Sequence, residues 1–241
     1  MKIACVCVTY LRAHLLGRVI RCFLRQTHED RELIILDDAG EYASQEGDRW
    51  RLISIDQRFR SLGEKRNAAT ALVSADVDAV HLWDDDDLYM PWALEAAAEA
   101  LEHAAVSRPS QVLNATTPDM RTLQRHYTGG LYHGGWAYRL DAFHALGGYR
   151  NYDNGEDQEL LARFPQFGIS TADPIEHGFD PAYIYTSEQN NSYRMSHCGP
   201  DGWRELGKRK HDGVKAIVPG IEEPLGIETA TISENVLPRT W

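Results

Sequence analysis

Residues 84–87 are four successive aspartates, and they follow the largely apolar stretch Val80-His81-Leu82-Trp83. Carboxylates held this close repel one another unless a positive charge sits among them. At a strand end side chains alternate, so Asp84 and Asp86 share one side and Asp85 and Asp87 the other. Hard oxygen donors grouped in this way suit Mg²⁺ or Mn²⁺, ions that bridge diphosphate oxygens. An acidic loop that merely capped the next helix would use one or two aspartates rather than four. A second acidic pair, Glu156-Asp157, opens a later helical stretch. Taken alone it reads as a first-turn acid that gains about 0.3–1 kcal/mol from the helix dipole. A carboxylate so placed can also take a proton from an incoming hydroxyl. Asp37-Asp38 forms a third cluster.

The first half of the chain contains the elements needed to position these groups. Residues 3–9 are apolar with β-branched side chains, which predicts a buried strand. Leu15, Leu16, Val19, Ile20, Phe23 and Leu24 recur at helical spacing across residues 13–26. Strands are expected at 32–36, 51–55 and 79–83, with a helix at 63–73. Pro91 suits the start of an Ala-rich helix running to about residue 105. This alternation predicts an α/β fold, a Rossmann-like and mostly parallel sheet with helices on both faces. Ligands collect at the carboxyl ends of the strands in such sheets. Thr9-Tyr10, Asp37-Asp38 and residues 84–87 all lie at strand ends, so three clusters distant in sequence should converge on one edge. The second half is more mixed, with a hairpin expected from 112–116 and 123–127. A helix near Glu156 follows, with Leu160, Leu161 and Phe164 on one face.

Bulk properties narrow the setting. The net charge of −11 over 241 residues disfavours nucleic acid and acidic membrane surfaces. The short basic run Lys208-Arg209-Lys210-His211 reads as a solvated helix end. Cys5 and Cys7 alternate with other residues on the first strand and should share a buried face. The spacing of Cys5, Cys7, Cys22 and Cys198 suggests neither zinc nor a disulfide framework. No stretch has the roughly 18–20 apolar residues that span a bilayer, and the N-terminus lacks a signal-peptide pattern. A soluble, cytoplasmic protein is expected.

Several of these segments, in order and spacing, resemble family-2 glycosyltransferases of the GT-A fold. They are Val8-Thr9-Tyr10 with Arg12, Gln26-Thr27 followed by residues 32–38, and Gly63 through Arg66-Asn67. Leu82 through Asp87 with Pro91, Gly147-Gly148-Tyr149 and Gly155-Glu156-Asp157 complete the set. The resemblance covers about residues 3 to 165. One GT-A domain is expected over 1–206, with a nucleotide-binding half at about 1–106 and an acceptor-side half at about 107–206. The mixed composition beyond Gly207, with Pro219, Pro224 and Pro238, reads as a tail at 207–241 that wraps the domain or is partly disordered. The resemblance implies that Thr9, Tyr10 and Asp38 line a base pocket, with Arg12, Arg66 and Asn67 close to the nucleotide. Asp84 would face the ribose or the metal, Asp86 would be the direct metal ligand, and Asp87 a second one. The additional acid at Asp85 leaves two registers, one residue apart. Asp157, with Glu156 beside it, would be the base in an inverting reaction.

Other assignments are weaker in chemistry. Trp136 could stack on a sugar ring or fill the core. His197 could add a metal ligand and Arg194 could meet the diphosphate, with His133 and His177 as rival imidazoles. Lys65 reads as a solvated helix residue. The expected activity is Mn²⁺- or Mg²⁺-dependent transfer from a nucleotide sugar, UDP-linked, to an acceptor hydroxyl on a glycan, lipid-linked saccharide, protein or modified DNA base. Nucleotidyl transfer would want a Gly-rich loop after the first strand, and residues 9–14 contain no glycine. A sugar-nucleotide or glycan binding module without turnover is the remaining alternative.

Overall fold

The computed structural model describes residues 1–115 and 123–186. In chain order the elements are β1 (Ile3–Thr9), α1 (Ala13–Leu24), β2 (Arg31–Asp37), β3 (Gln45–Gly47), β4 (Trp50–Ser54), α2 (Leu62–Thr70), β5 (Ala79–Leu82), β6 (Leu88–Tyr89) and α3 (Ala93–His103). There follow β7 (Val106–Ser107), β8 (Gln111–Ala115), β9 (Leu123–Tyr127), a 3₁₀ turn at His133–Gly135, β10 (Ala137–Arg139), α4 (Leu140–Ala145), α5 (Glu156–Phe167), β11 (Thr171–Ala172) and β12 (Tyr183–Tyr185).

Eight strands form one sheet in the order β11-β7-β10-β5-β1-β2-β4-β3. Its centre is parallel, with β1 between β2 and β5 and β4 beyond β2. This is the sheet the sequence predicts, extended by a short β3–β4 hairpin and by antiparallel β10 at the other side. The expected hairpin is β8 with β9, paired antiparallel, and it joins a second sheet in the order β6-β12-β8-β9.

Alternation along β1 sorts the core into two halves. Ile3, Cys5 and Cys7 face Leu16, Val19 and Phe23 of α1 and Leu94 and Leu101 of α3. Ala4 and Val6 face the other side, where Ala69, Phe143, Leu160 and Phe164 pack. Each fully buried Leu, Val or Phe side chain contributes roughly 1.5–3 kcal/mol, so both helical layers are held firmly to the sheet.

One buried amide sets where the aspartate run sits. Gln26 Nε2 donates to the carbonyls of Cys22, at 3.0 Å, and Met90, at 2.9 Å. Its Oε1 accepts from Leu94 N at 3.0 Å, and Thr27 N donates to Pro91 O at 2.8 Å. The end of α1 is thereby tied to the start of α3, and residues 84–91 are fixed between β5 and that helix.

His81 of β5 is buried against the edges of Trp83 and Tyr89. Burial pushes its pKa down to about 4, against a smaller opposing effect of its hydrogen bond to Leu82 O. The unfolded chain therefore binds a proton near pH 6.5 that the folded chain refuses until near pH 4. Stability contributed by neutral His81 is complete above pH 6.5 and is lost as pH falls to about 4. The loss amounts to about 3 kcal/mol. Urea unfolding of His81→Gln should show a correspondingly shallower slope of stability between pH 6.5 and 4; an unchanged slope would contradict a buried neutral imidazole.

Candidate functional site

The three strand-end clusters do converge. Thr9 and Asp37 are partners in the β1–β2 register, and Asp84 follows β5 on the other side of β1. The Asp37 carboxylate serves the loop rather than the cleft: it accepts from Ala39 N and Glu41 N, each at 3.1 Å, and from Ser54 Oγ at 2.7 Å.

The four aspartates have separate fates. Asp87 is buried and accepts from the Tyr183 hydroxyl and from Thr186 N, the latter at 2.7 Å. It is therefore an anchor for β12, with each of its oxygens already accepting one hydrogen bond. Asp85, with its side chain 5% exposed, accepts from Arg12 Nη1 at 2.5 Å. Asp86 also accepts from Arg12, at 3.0 Å, and its side chain is 18% exposed. Asp84 is the most open, at 27%, and accepts from Arg66 Nη2 at 3.2 Å. Alternation thus leaves Asp84 and Asp86 as the pair with open oxygens.

Charge crowding is visible in their protonation. Burial, then Asp85 and Asp84, push Asp86 up to about 6 despite Arg12. Burial and the same crowding hold Asp87 well above the usual carboxylate range. Arg12 is itself raised: burial opposes its charge, and Asp85 and Asp86 outweigh burial. Arg18, not anticipated from sequence, donates to the Asp86 carbonyl at 2.7 Å. Opposite the run, Gly134 lets the backbone approach Asp84 closely, since a Cβ there would meet Asp84 Oδ2 at 2.5 Å and the Tyr183 hydroxyl at 2.7 Å. Two part-exposed carboxylates amid excess negative charge fit a hard divalent cation.

A single guanidinium joins this run to α5. Arg66 donates through Nη1 to Glu156 at 2.6 Å and through Nη2 to Asp84. Burial works against its charge, but Glu156 and Asp84 more than reverse that and raise its pKa. The same Nη1 lies 2.8 Å from His133 Nδ1. Arginine can only donate, so Nδ1 accepts and the ring proton sits on Nε2, 3.0 Å from the hydroxyls of both Tyr138 and Tyr149. His133 is therefore a buried support for Arg66, with both ring nitrogens in use. Asp157, next to Glu156 in the first turn of α5, is buried and close enough to act on the charge of Arg66.

Several expectations need correction. Lys65 is not solvated. It is fully buried, and its ammonium donates to Asp38 Oδ1 at 2.5 Å and to the Thr9 carbonyl. Burial lowers its pKa against the opposing pull of Asp38. Asp38 also accepts from Arg58 at 2.6 Å and from Phe59 N at 3.1 Å, so both its oxygens serve the protein. The half-buried residue of this wall is instead Tyr10, whose ring carries the Arg58 guanidinium 3.6 Å from its centroid. The next residue, Leu11, has φ of 54°, a strained conformation for a branched side chain. Asn67 does not point into the cleft: its amide donates to Tyr149 O and accepts from Tyr149 N, each at 2.8 Å. Trp136 is a core residue, buried among Tyr138 and Phe164 with Arg108 4.7 Å from its ring. His177 lies near Glu99 and His103 of α3 rather than at the aspartates. Arg194, His197 and the run 208–211 lie outside the described residues.

Sequence reasoning missed Lys65, Arg58 and Tyr183 for one reason. Their partners are carboxylates 27, 20 and 96 positions away, and no local pattern links them. A usable signal for Lys65 was the weakly amphipathic character of α2, whose buried face is Gly63, Lys65, Arg66, Ala69 and Thr70. Breaking a buried pair from one side costs about 3–5 kcal/mol. Lys65→Met should lose stability on that scale in urea unfolding, and adding Asp38→Asn should recover part of it. Additive losses in the double variant would contradict a coupled pair.

Comparison with known proteins places this geometry. The family model for glycosyl transferase family 2 matches residues 5–149. No curated protein matches the chain in sequence. Among solved structures, S. aureus TarS in complex with UDP-GlcNAc aligns with a TM-score of 0.61 at 14% identity, over 86% of this chain and 64% of that one. The mannosyltransferase PcManGT of Pyrobaculum calidifontis, in complex with GDP-Man and Mn²⁺, aligns at 0.57 and 15% identity, over 79% and 58%. The catalytic domain of Drosophila β1,4-galactosyltransferase 7, in complex with xylobiose, aligns at 0.55 and 17%, over 87% and 81%. This chain thus spans less than two thirds of the TarS and PcManGT chains, and the likeness establishes a GT-A fold. Among the described residues no helix is long and apolar enough to cross a membrane. With the family model matching more than half of its length, the chain belongs to glycosyl transferase family 2.

Proposed function

We propose that the protein is a metal-dependent, inverting glycosyltransferase that moves a monosaccharide from a UDP-sugar to an acceptor hydroxyl. The observation that carries this reading is the Arg66 bridge, which holds Asp84, the most open aspartate, and Glu156 in the first turn of α5 within the span of one guanidinium. A donor site and a base must be adjacent for transfer to occur, and this contact supports their adjacency. The complexes of TarS with UDP-GlcNAc and of PcManGT with GDP-Man and Mn²⁺ support a nucleotide-sugar donor and a divalent ion.

Each residue then has a defined task. Asp84 and Asp86 would hold the ion, which when bound supplies stabilisation of the charge that develops on the leaving diphosphate. Tyr10 would offer its face to the nucleotide base where Arg58 now stacks. Arg12 keeps Asp85 and Asp86 from repelling each other. Asp157 takes the proton of the acceptor hydroxyl as its oxygen attacks the anomeric carbon. The bond from that carbon to the diphosphate oxygen breaks, its electron pair leaves with the nucleoside diphosphate, and the anomeric configuration inverts.

Two substitutions test this assignment. Asp86→Ala should abolish Mn²⁺-dependent binding of UDP, measured by calorimetry; an unchanged affinity in Mn²⁺ would refute the metal assignment. Asp157→Asn should retain donor binding while losing transfer by roughly 10²-fold or more, since an amide cannot accept the proton. UDP release at the wild-type rate would place the base elsewhere, and donor binding without any turnover by the wild type would favour a binding module.

A further inference from the structure

At the end of α3 away from the aspartates, a second cluster of metal-type ligands is assembled. The helix begins just after the aspartate run and its eleven residues span about 16 Å, which carries His103 well clear of that site. Glu99 and His103 are one turn apart and project from the same stripe, with Glu99 Oε1 3.3 Å from His103 Nε2. The ring of His177 lies parallel to that of His103, 4.3 Å between centroids and tilted by 9°. One ligand atom from each of the three lies within 4.8 Å of the other two, and all three side chains are exposed.

The placement of His177 is built into the backbone. Asp173 Oδ1 accepts from Ser110 N at 3.1 Å and from Ile175 N at 3.0 Å. Glu176 N donates to Asp173 O at 3.0 Å, and the amides of His177 and Phe179 each donate to Pro174 O at 3.2 Å. The turn after β11 is thus closed on itself and presents the imidazole from a fixed position.

We propose that Glu99, His103 and His177 form a binding site for a borderline divalent transition cation of the Zn²⁺ class, distinct from the donor site. Two imidazoles and one carboxylate are a donor set that such ions favour, whereas Mg²⁺ and Mn²⁺ prefer oxygen ligands. Bond lengths of about 2.0–2.1 Å in a tetrahedron set ligand atoms roughly 3.3 Å apart. Glu99 and His103 already meet that separation. His177 has to close by no more than about 1.5 Å, which rotation of an exposed side chain provides. The bound ion would join α3 to the segment leading into β12, the strand whose Tyr183 holds Asp87. One end of α3 is tied down by Gln26 and the other by Arg139, which donates to Leu101 O at 2.7 Å, and the ion would add a further tie at that second end.

The test is titration of the full chain with Zn²⁺ by calorimetry, with Co²⁺ absorption as a probe of tetrahedral coordination. Asp86→Ala serves as the background in which the donor site is disabled. Saturable binding that persists in Asp86→Ala is expected, together with a rise in Tm from binding to the folded state. His103→Ala and His177→Ala, both exposed and so tolerant of truncation, should each weaken Zn²⁺ at least ~10-fold, the minimum that loss of even a supporting partner causes. Circular dichroism checks that both variants fold. Zn²⁺ affinity unchanged in both variants, or no saturable binding to the wild type, would overturn the site.

Discussion

Arg66 occupies a place where a guanidinium without partners could not stay. It is buried beneath the cleft, where taking a charge from water costs several kcal/mol unless attraction and hydrogen bonds replace the lost solvation. Glu156 and Asp84 supply the charge and His133 the additional acceptor. Those three partners come from α5, from the end of β5 and from the turn before β10. His133 is held in turn by Tyr138 and Tyr149, and the backbone of Tyr149 by Asn67. Satisfying one buried cation therefore ties α5, the end of β5 and the turn before β10 to α2.

A second buried ion pair does comparable work on the other side of the cleft. Lys65 reaches under Thr9 to Asp38 and joins α2 to the ends of β1 and β2. A compact ammonium suits this position because it meets one carboxylate and one carbonyl. The planar guanidinium of Arg58 takes the same carboxylate from outside and sits over the Tyr10 ring, 3.6 Å from its centroid. Arg66 and Lys65 are neighbours on one helix, so α2 contributes its cations to both walls. With two cations on its buried face, α2 packs against the sheet through the small residues Gly63, Ala69 and Thr70.

Much of the fold was legible because burial on a sheet is a local pattern. Alternation places Cys5 and Cys7 on one buried face of β1, and the packing agrees, with both against α1 and α3 while Ala4 and Val6 take the other side. The same alternation separated Asp84 and Asp86 from Asp85 and Asp87, which matches their exposure. Buried polar residues were less legible. Lys65 looked solvated because lysine usually is, and its burial depends on an aspartate in another element. Trp136 could serve a sugar or the core equally well by chemistry, and its packing against Tyr138 and Phe164 decided for the core.

By itself the sequence determined the parallel sheet, the strand ends on which polar clusters meet and the supply of carboxylates, since each follows from spacing over a few residues. Only the tertiary structure decided which partner each charge has. Asp87 is spent on Thr186, 99 positions along the chain, and Arg66 on Glu156, 90 positions along. Buried charges must find partners somewhere, but nothing in a local pattern says which distant segment provides them. Folding settles that choice by bringing the segments together and making an unpaired charge too costly to keep.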